Sequence, residues 1–202
     1  MPLWLAAAPL LLASRSLARR RLLDAAGIPI EIAAADIDEC ALEARSPMQT
    51  AGAIAALLAR EKAATLARQK PSRLVLGCDQ TLSLGAERFS KPGSVAAARA
   101  QLQALRGRSH ELHSAIAFVQ DEEVLFEHVG IARLTMRAFS DPFLDSYLDA
   151  VGAAATESVG AYQVEGRGIQ LFERIDGDYF TVLGLPLLAV LQFLRQHGCL
   201  AP

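Results

Sequence analysis

An α/β fold, a mixed sheet with helices on its faces, is predicted on three observations. Strand-like and helix-like stretches alternate along the whole chain. Two short runs, 10-LLLA-13 and 74-LVL-76, are apolar without alternation, as in strands buried on both faces. The composition is 52% hydrophobic over 202 residues and rich in alanine, enough to bury a core and to exclude disorder. That length suits a single domain spanning residues 1–202, with two lobes sharing it as the alternative.

The elements follow in order. Leu10–Ala13 reads as a buried strand, 14-SRS-16 as a polar turn, and 17–26 as a helix with Ser16 at its N-cap and Gly27 at its stop. Ile28–Ile32 looks extended, and 36-DIDECALEARS-46 reads as acidic and irregular. Ser46-Pro47 is a helix start, and Ile54, Leu57, Leu58 and Leu66 carry that helix to about Gln69. Leu74–Leu76 is a strand that ends at 77-GCD-79. A hairpin around Gly85 spans 82–89, and a helix over 94–105 is closed by Gly107. Residues 109–119 and 123–137 form a second hairpin joined at Asp121-Glu122. Ser140-Asp141-Pro142 opens a helix, 169–175 is a strand, and 185–196 is a closing helix before Gly198.

Composition also limits function. A net charge of −2 gives no basis for holding a nucleic acid polymer by bulk charge. The apolar run 2–13 is followed, not preceded, by Arg15, Arg19, Arg20 and Arg21, the wrong order for a signal peptide. It is also shorter than the roughly 18–20 residues of a membrane span. No membrane association is expected. Three cysteines without a C-x-x-C pair point to a reducing, cytoplasmic setting.

Four places combine polar residues with strand ends or helix starts. In 14-SRSLARR-20, two hydroxyls and a helix N-terminus form an anion site with Arg19 close by; a capped helix with solvated arginines is the plain alternative. Asp79, in 77-GCDQT-81, is placed at a strand's carboxyl end, where it would hold a divalent cation, take a proton from water, or simply form a turn. Lys62 and Lys91 are compact charges suited to phosphate, or ordinary surface lysines. The glycines of 160-GAYQVEGRGIQ-170 suit either close approach to a ligand or a structural turn. His110 and His113 would face opposite sides of a strand, which does not favour a metal site.

Seven segments, running in order, resemble the Maf family of nucleoside triphosphate pyrophosphatases. They are 12-LASRSLARRRLL-23, 59-AREKA-63, 77-GCDQT-81, 90-SKP-92, 105-LRGRSH-110, 159-VGAYQVEG-166 and 184-GLPL-187. The resemblance implies an elongated mixed sheet flanked by helices, with two lobes around a central cleft, similar to the inosine triphosphate pyrophosphatase fold. It implies a hydrolase acting on acid anhydrides, with a house-cleaning role, that converts a nucleoside triphosphate to a monophosphate and pyrophosphate. Asp79 matches the proton acceptor or metal-binding carboxylate. Ser14, Ser16, Arg19, Lys62 and Lys91 match the triphosphate cluster, and Gln80 and Glu165 match positions near the substrate. Magnesium or manganese and a cytoplasmic homodimer are implied as well. Leu17 and Ala18 replace a proline and an arginine of the family pattern. Gln80, Glu165 and 168-GIQLFERIDG-177 look like the branch that prefers 7-methylguanosine triphosphate. A non-catalytic, nucleotide-binding regulator of cell division is the other reading.

Overall fold

A computed structural model describes residues 2–46 and 50–202. The strands are β1 (Leu10–Ala13), β2 (Ile30–Ile32), β3 (Leu74–Leu84), β4 (Glu87–Phe89), β5 (Ser109–Gln120), β6 (Glu123–Met136) and β7 (Phe172–Asp176). They form a seven-stranded sheet in the order β2-β1-β3-β5-β6-β7, with β4 pairing β3. The helices are α1 (Leu17–Ala25), α2 (Glu39–Arg45), α3 (Ala51–Gln69), α4 (Val95–Leu105), α5 (Asp141–Val151), α6 (Tyr179–Val182) and α7 (Leu187–Gln196). β1 runs parallel to both β2 and β3, whereas β3–β4 and β6–β7 are antiparallel, so the sheet is mixed as expected.

The chain divides into two compact units. The first comprises Met1–Gln80, His113–Gly130 and Asp178–Pro202; the second comprises Thr81–Leu112 and Ile131–Gly177.

In the first unit, side chains alternate between the two faces of the strands. Leu10, Leu12, Leu76, Cys78, Ile116 and Phe118 pack with Leu23 of α1 and with Val190, Phe193 and Leu194 of α7. Leu11, Ala13, Val75, Ala115, Ala117 and Val119 pack on the other side with Ala55, Ala59, Ala63, Leu66 and Ala67 of α3. Ala55, Ala59, Ala63 and Ala67 recur every fourth residue and form a flat stripe that lets the helix lie close to the sheet. Gly77 sits beneath that stripe. A Cβ there would overlap the Ala59 carbonyl oxygen and lie 2.8 Å from Ala63 Cβ. The apolar N-terminal run also belongs to this unit. Trp4 bridges to Leu200, and the Leu5 amide donates to the Cys199 carbonyl at 2.9 Å.

In the second unit, Leu102 and Leu105 of α4, Leu134 of β6, and Leu144, Tyr147 and Leu148 of α5 are buried. His110 is also buried here. Its Nε2 lies 2.7 Å from the Tyr162 hydroxyl, and its ring lies near those of Tyr162 and Phe172. Burial lowers its pKa from 6.5 to about 4, because the desolvated ring resists charging. Between these two values the unfolded chain takes up a proton that the folded chain refuses. Stability is therefore full above pH 6.5 and declines as the pH falls toward 4. Urea unfolding at pH 7 and pH 4.5 should show this loss, and His110→Gln, which keeps a hydrogen-bonding side chain, should remove one proton's worth of the slope.

Four expectations need correction. The 36–46 segment is not irregular: Asp38 accepts from the Ala41 amide and caps α2, with Glu39 in the first turn and Arg45 in the last, both favourable to the helix dipole. α3 begins later than Ser46-Pro47 suggests, with Thr50 as its cap; Pro47 lies outside the described residues. Ile169–Leu171 belongs to a 3-10 turn, Arg167–Leu171, and β7 begins only at Phe172. Most important for the site, the strand does not stop at Asp79. It continues to Leu84, because Gly77 is there for the close approach of α3 rather than for a turn, and the alternating 81-TLSL-84 carries the strand onward.

Candidate active site

The parallel rungs between β1 and β3 end at Ala13↔Gly77. Just beyond them, β1 gives way to the Ser14–Ser16 turn and α1, while β3 runs on through Cys78, Asp79 and Gln80. Alternation along β3 puts Gly77 and Asp79 on the α3 side, and Cys78 and Gln80 on the opposite side.

On the α3 side, Lys62 projects from the helix between Ala59 and Ala63. Its Nζ donates to Asp79 Oδ1 at 2.6 Å and lies 2.8 Å from Glu39 Oε1. The Lys62 and Asp79 side chains are only 14% and 11% exposed, so the pair sits at the edge of the interior where its attraction is weakly screened; the Glu39 side chain is 49% exposed. One ammonium thus bridges two carboxylates from different elements. Sequence reasoning missed Glu39. The signal was the cap, acid and closing arginine of 38-DECALEAR-45, which mark a helix and so place the acid in its first turn.

At the head of α1, Ser14 Oγ accepts from the Ser16 amide at 3.3 Å and from Arg19 Nη1 at 3.1 Å. With its acceptor sites so used, the hydroxyl has a proton to give, which suits an anionic oxygen. Ser16 Oγ accepts from the Arg19 amide at 3.4 Å, and the Leu17 and Ala18 amides head the helix without intrahelical acceptors. Arg19 is more than a free cation. Its Nε donates to the Gly184 carbonyl at 2.8 Å and its Nη1 also donates to the Cys78 carbonyl at 3.0 Å, tying α1, β3 and the turn before α7 together. These bonds leave Nη2 of the guanidinium fork for a ligand. The neighbouring Arg20 pairs with Asp24 on the surface, and Arg15 and Arg21 are exposed, as expected for solvated charges.

Gln80 points away from Asp79. Its amide nitrogen donates to Ser114 Oγ at 2.9 Å and faces the Val182 and Thr181 carbonyls at 3.1 and 3.3 Å. Cys78 is fully buried. Burial pushes its thiol up to about 11, although the charges of Arg19 and Lys62 pull the other way, so it does not supply a nucleophile. Cys40, on α2, is exposed.

The structure therefore joins Ser14, Ser16 and Arg19 in one hydrogen-bonded group, bound to the carbonyl of the residue before Asp79, and joins Lys62 to Asp79 itself. Lys91 and Glu165 belong to the second unit: Lys91 is exposed between β4 and α4, and Glu165 is exposed in the turn before Arg167–Leu171. Among the described residues no cluster of three or more His, Cys, Asp or Glu side chains could hold a metal unaided. No helix is long and apolar enough to cross a membrane, again among the described residues.

A family model described as "Maf-like protein" matches residues 9–197. A "nucleoside triphosphate pyrophosphatase" of Rhodopseudomonas palustris (strain ATCC BAA-98 / CGA009) is 54% identical over 201 residues, covering 100% of both chains. A "7-methyl-GTP pyrophosphatase" of Mesorhizobium japonicum is 51% identical over 195 residues, covering 95% of this chain and 97% of that one. Among solved structures, a HAM1 protein from Coxiella burnetii gives a TM-score of 0.42 at 16% identity, over 65% of this chain and 74% of that one.

Proposed function

The chain belongs to the Maf family, whose model spans residues 9–197, and on that premise we propose that it hydrolyses a nucleoside triphosphate to a nucleoside monophosphate and pyrophosphate. One observation carries the reading: the Lys62–Asp79 pair, with its 2.6 Å contact, follows directly on the backbone carbonyl that Arg19 grips. In this reading the Ser14 hydroxyl, the Arg19 Nη2 group and the amides heading α1 take phosphate oxygens, while Lys62 supplies a further charge. Asp79 accepts a proton from the water that attacks phosphorus, and pyrophosphate departs. Lys91 and Glu165 are proposed contacts to the phosphates and the base.

A divalent cation, magnesium or manganese, fits the donor set. Asp79 and Glu39 offer hard carboxylate oxygens held within reach of one ammonium, and such ions usually complete their shell with substrate phosphates and water. Asp79, with Glu39, would hold it, and the ion would neutralise charge on the phosphates. A cytoplasmic homodimer is proposed on the same family premise, and light scattering tests the dimer.

The test of function is pyrophosphate release from a panel containing 7-methylguanosine triphosphate, dTTP, UTP and CTP, with magnesium or manganese. Release from at least one, abolished by chelation, is expected. Binding without turnover on any member would favour a non-catalytic regulator.

A further inference from the structure

Ser114 lies on β5 and is wholly buried, so it reaches no substrate. Its hydroxyl nonetheless begins a chain of hydrogen bonds that ends in the phosphate-binding group. Ser114 Oγ donates to the Thr181 carbonyl at 2.7 Å. The same carbonyl accepts from the Gly184 amide at 3.0 Å and faces the Gln80 amide nitrogen at 3.3 Å. The Gly184 carbonyl accepts from Arg19 Nε, and Arg19 Nη1 donates to Ser14 Oγ.

The rest of this segment is also fixed. Asp178 accepts from both the amide and the hydroxyl of Thr181 at 2.9 and 3.0 Å. Thr181 packs so closely on Gly130 that a Cβ there would lie 2.7 Å from its Oγ1. Gly184 has φ +90°, and a Cβ on it would come within 3.4 Å of the Arg19 guanidinium. The turn is therefore shaped to present one carbonyl to Arg19, and the Thr181 carbonyl is the joint about which its shape is set.

We propose that Ser114 is a positioning residue for triphosphate binding: by anchoring the Thr181 carbonyl it fixes the Gly184 carbonyl, and through it the guanidinium of Arg19 and the hydroxyl of Ser14. The proposal rests on the pyrophosphatase reading for its ligand. It predicts an effect confined to the Arg19–Ser14 arm, because the Lys62–Asp79 pair lies on the other face of β3 and shares none of these bonds.

The test is calorimetric binding of a nucleoside triphosphate carrying a methylene bridge between the α and β phosphorus atoms, alongside kinetics on the preferred substrate. Ser114→Ala should raise Kd and KM about tenfold, the effect of one well-formed hydrogen bond, and change kcat by less than about twofold. Ser114→Thr should restore binding, and Ser114→Ala should add no further loss in an Arg19→Ala background. If Ser114→Ala does not fold, Ser114→Cys, close in size but a weaker donor, should give an intermediate Kd. An unchanged Kd in either variant would overturn the proposal. So would a loss of equal size in the Arg19→Ala background, or a fall in kcat with KM unchanged. A wild-type protein that binds the analogue with this coupling but releases no pyrophosphate would retire the pyrophosphatase reading and leave the role of Ser114 standing. One that does not bind would retire both.

Discussion

Asp79→Asn is expected to lower pyrophosphate release by at least about a hundredfold, the usual effect of removing a positioned proton acceptor. The substitution is nearly isosteric, and its amide oxygen can still accept from Lys62, which also keeps Glu39 at 2.8 Å. The grip of Ser14 and Arg19 involves the backbone of Cys78, not the Asp79 side chain, so substrate affinity should change far less than turnover. Rates measured at saturating substrate, with a thermal melt to confirm folding, check this. Equal rates for variant and wild type would remove Asp79 from the chemistry.

Gly77→Ala should be the most destabilising single-methyl change in the first unit, at about 3 kcal/mol, the upper part of the range for overpacking. The added carbon would meet a backbone carbonyl and a helix backbone, neither of which can rotate away. The helix would have to lift from the sheet. Lys62 stands on that helix beside the contact, so its separation from Asp79 should open as well. Urea unfolding should show a lower midpoint. Activity measured well below that midpoint should still be reduced, which separates displacement of Lys62 from simple loss of folded protein.

Most strands and helices were legible because buried strands, caps and stop glycines leave local marks: 10-LLLA-13, Ser16 before α1, Ser140 before α5. Gly77 misled because a glycine required by a neighbouring helix looks the same as one required by a turn. The polar cluster was partly legible, since Ser14, Ser16 and Arg19 lie within six residues. Lys62 and Asp79 were each visible, but their contact depends on the register between α3 and β3. Ser114 carried no signal, and Gly184 stood out only within 184-GLPL-187, with nothing to mark its bond to Arg19. Their parts are played by a buried hydroxyl and by backbone carbonyls, whose partners lie up to 165 residues away and carry no side-chain signature.

The unequal exposure of two cysteines has a practical consequence. Cys78 and Cys199 are buried, whereas Cys40 is exposed on α2, one residue from the carboxylate that shares Lys62. A maleimide dye added to the native, unmutated protein will therefore be directed to Cys40. Its fluorescence would report in real time whether α2 shifts when a nucleotide competes with Glu39 for that ammonium.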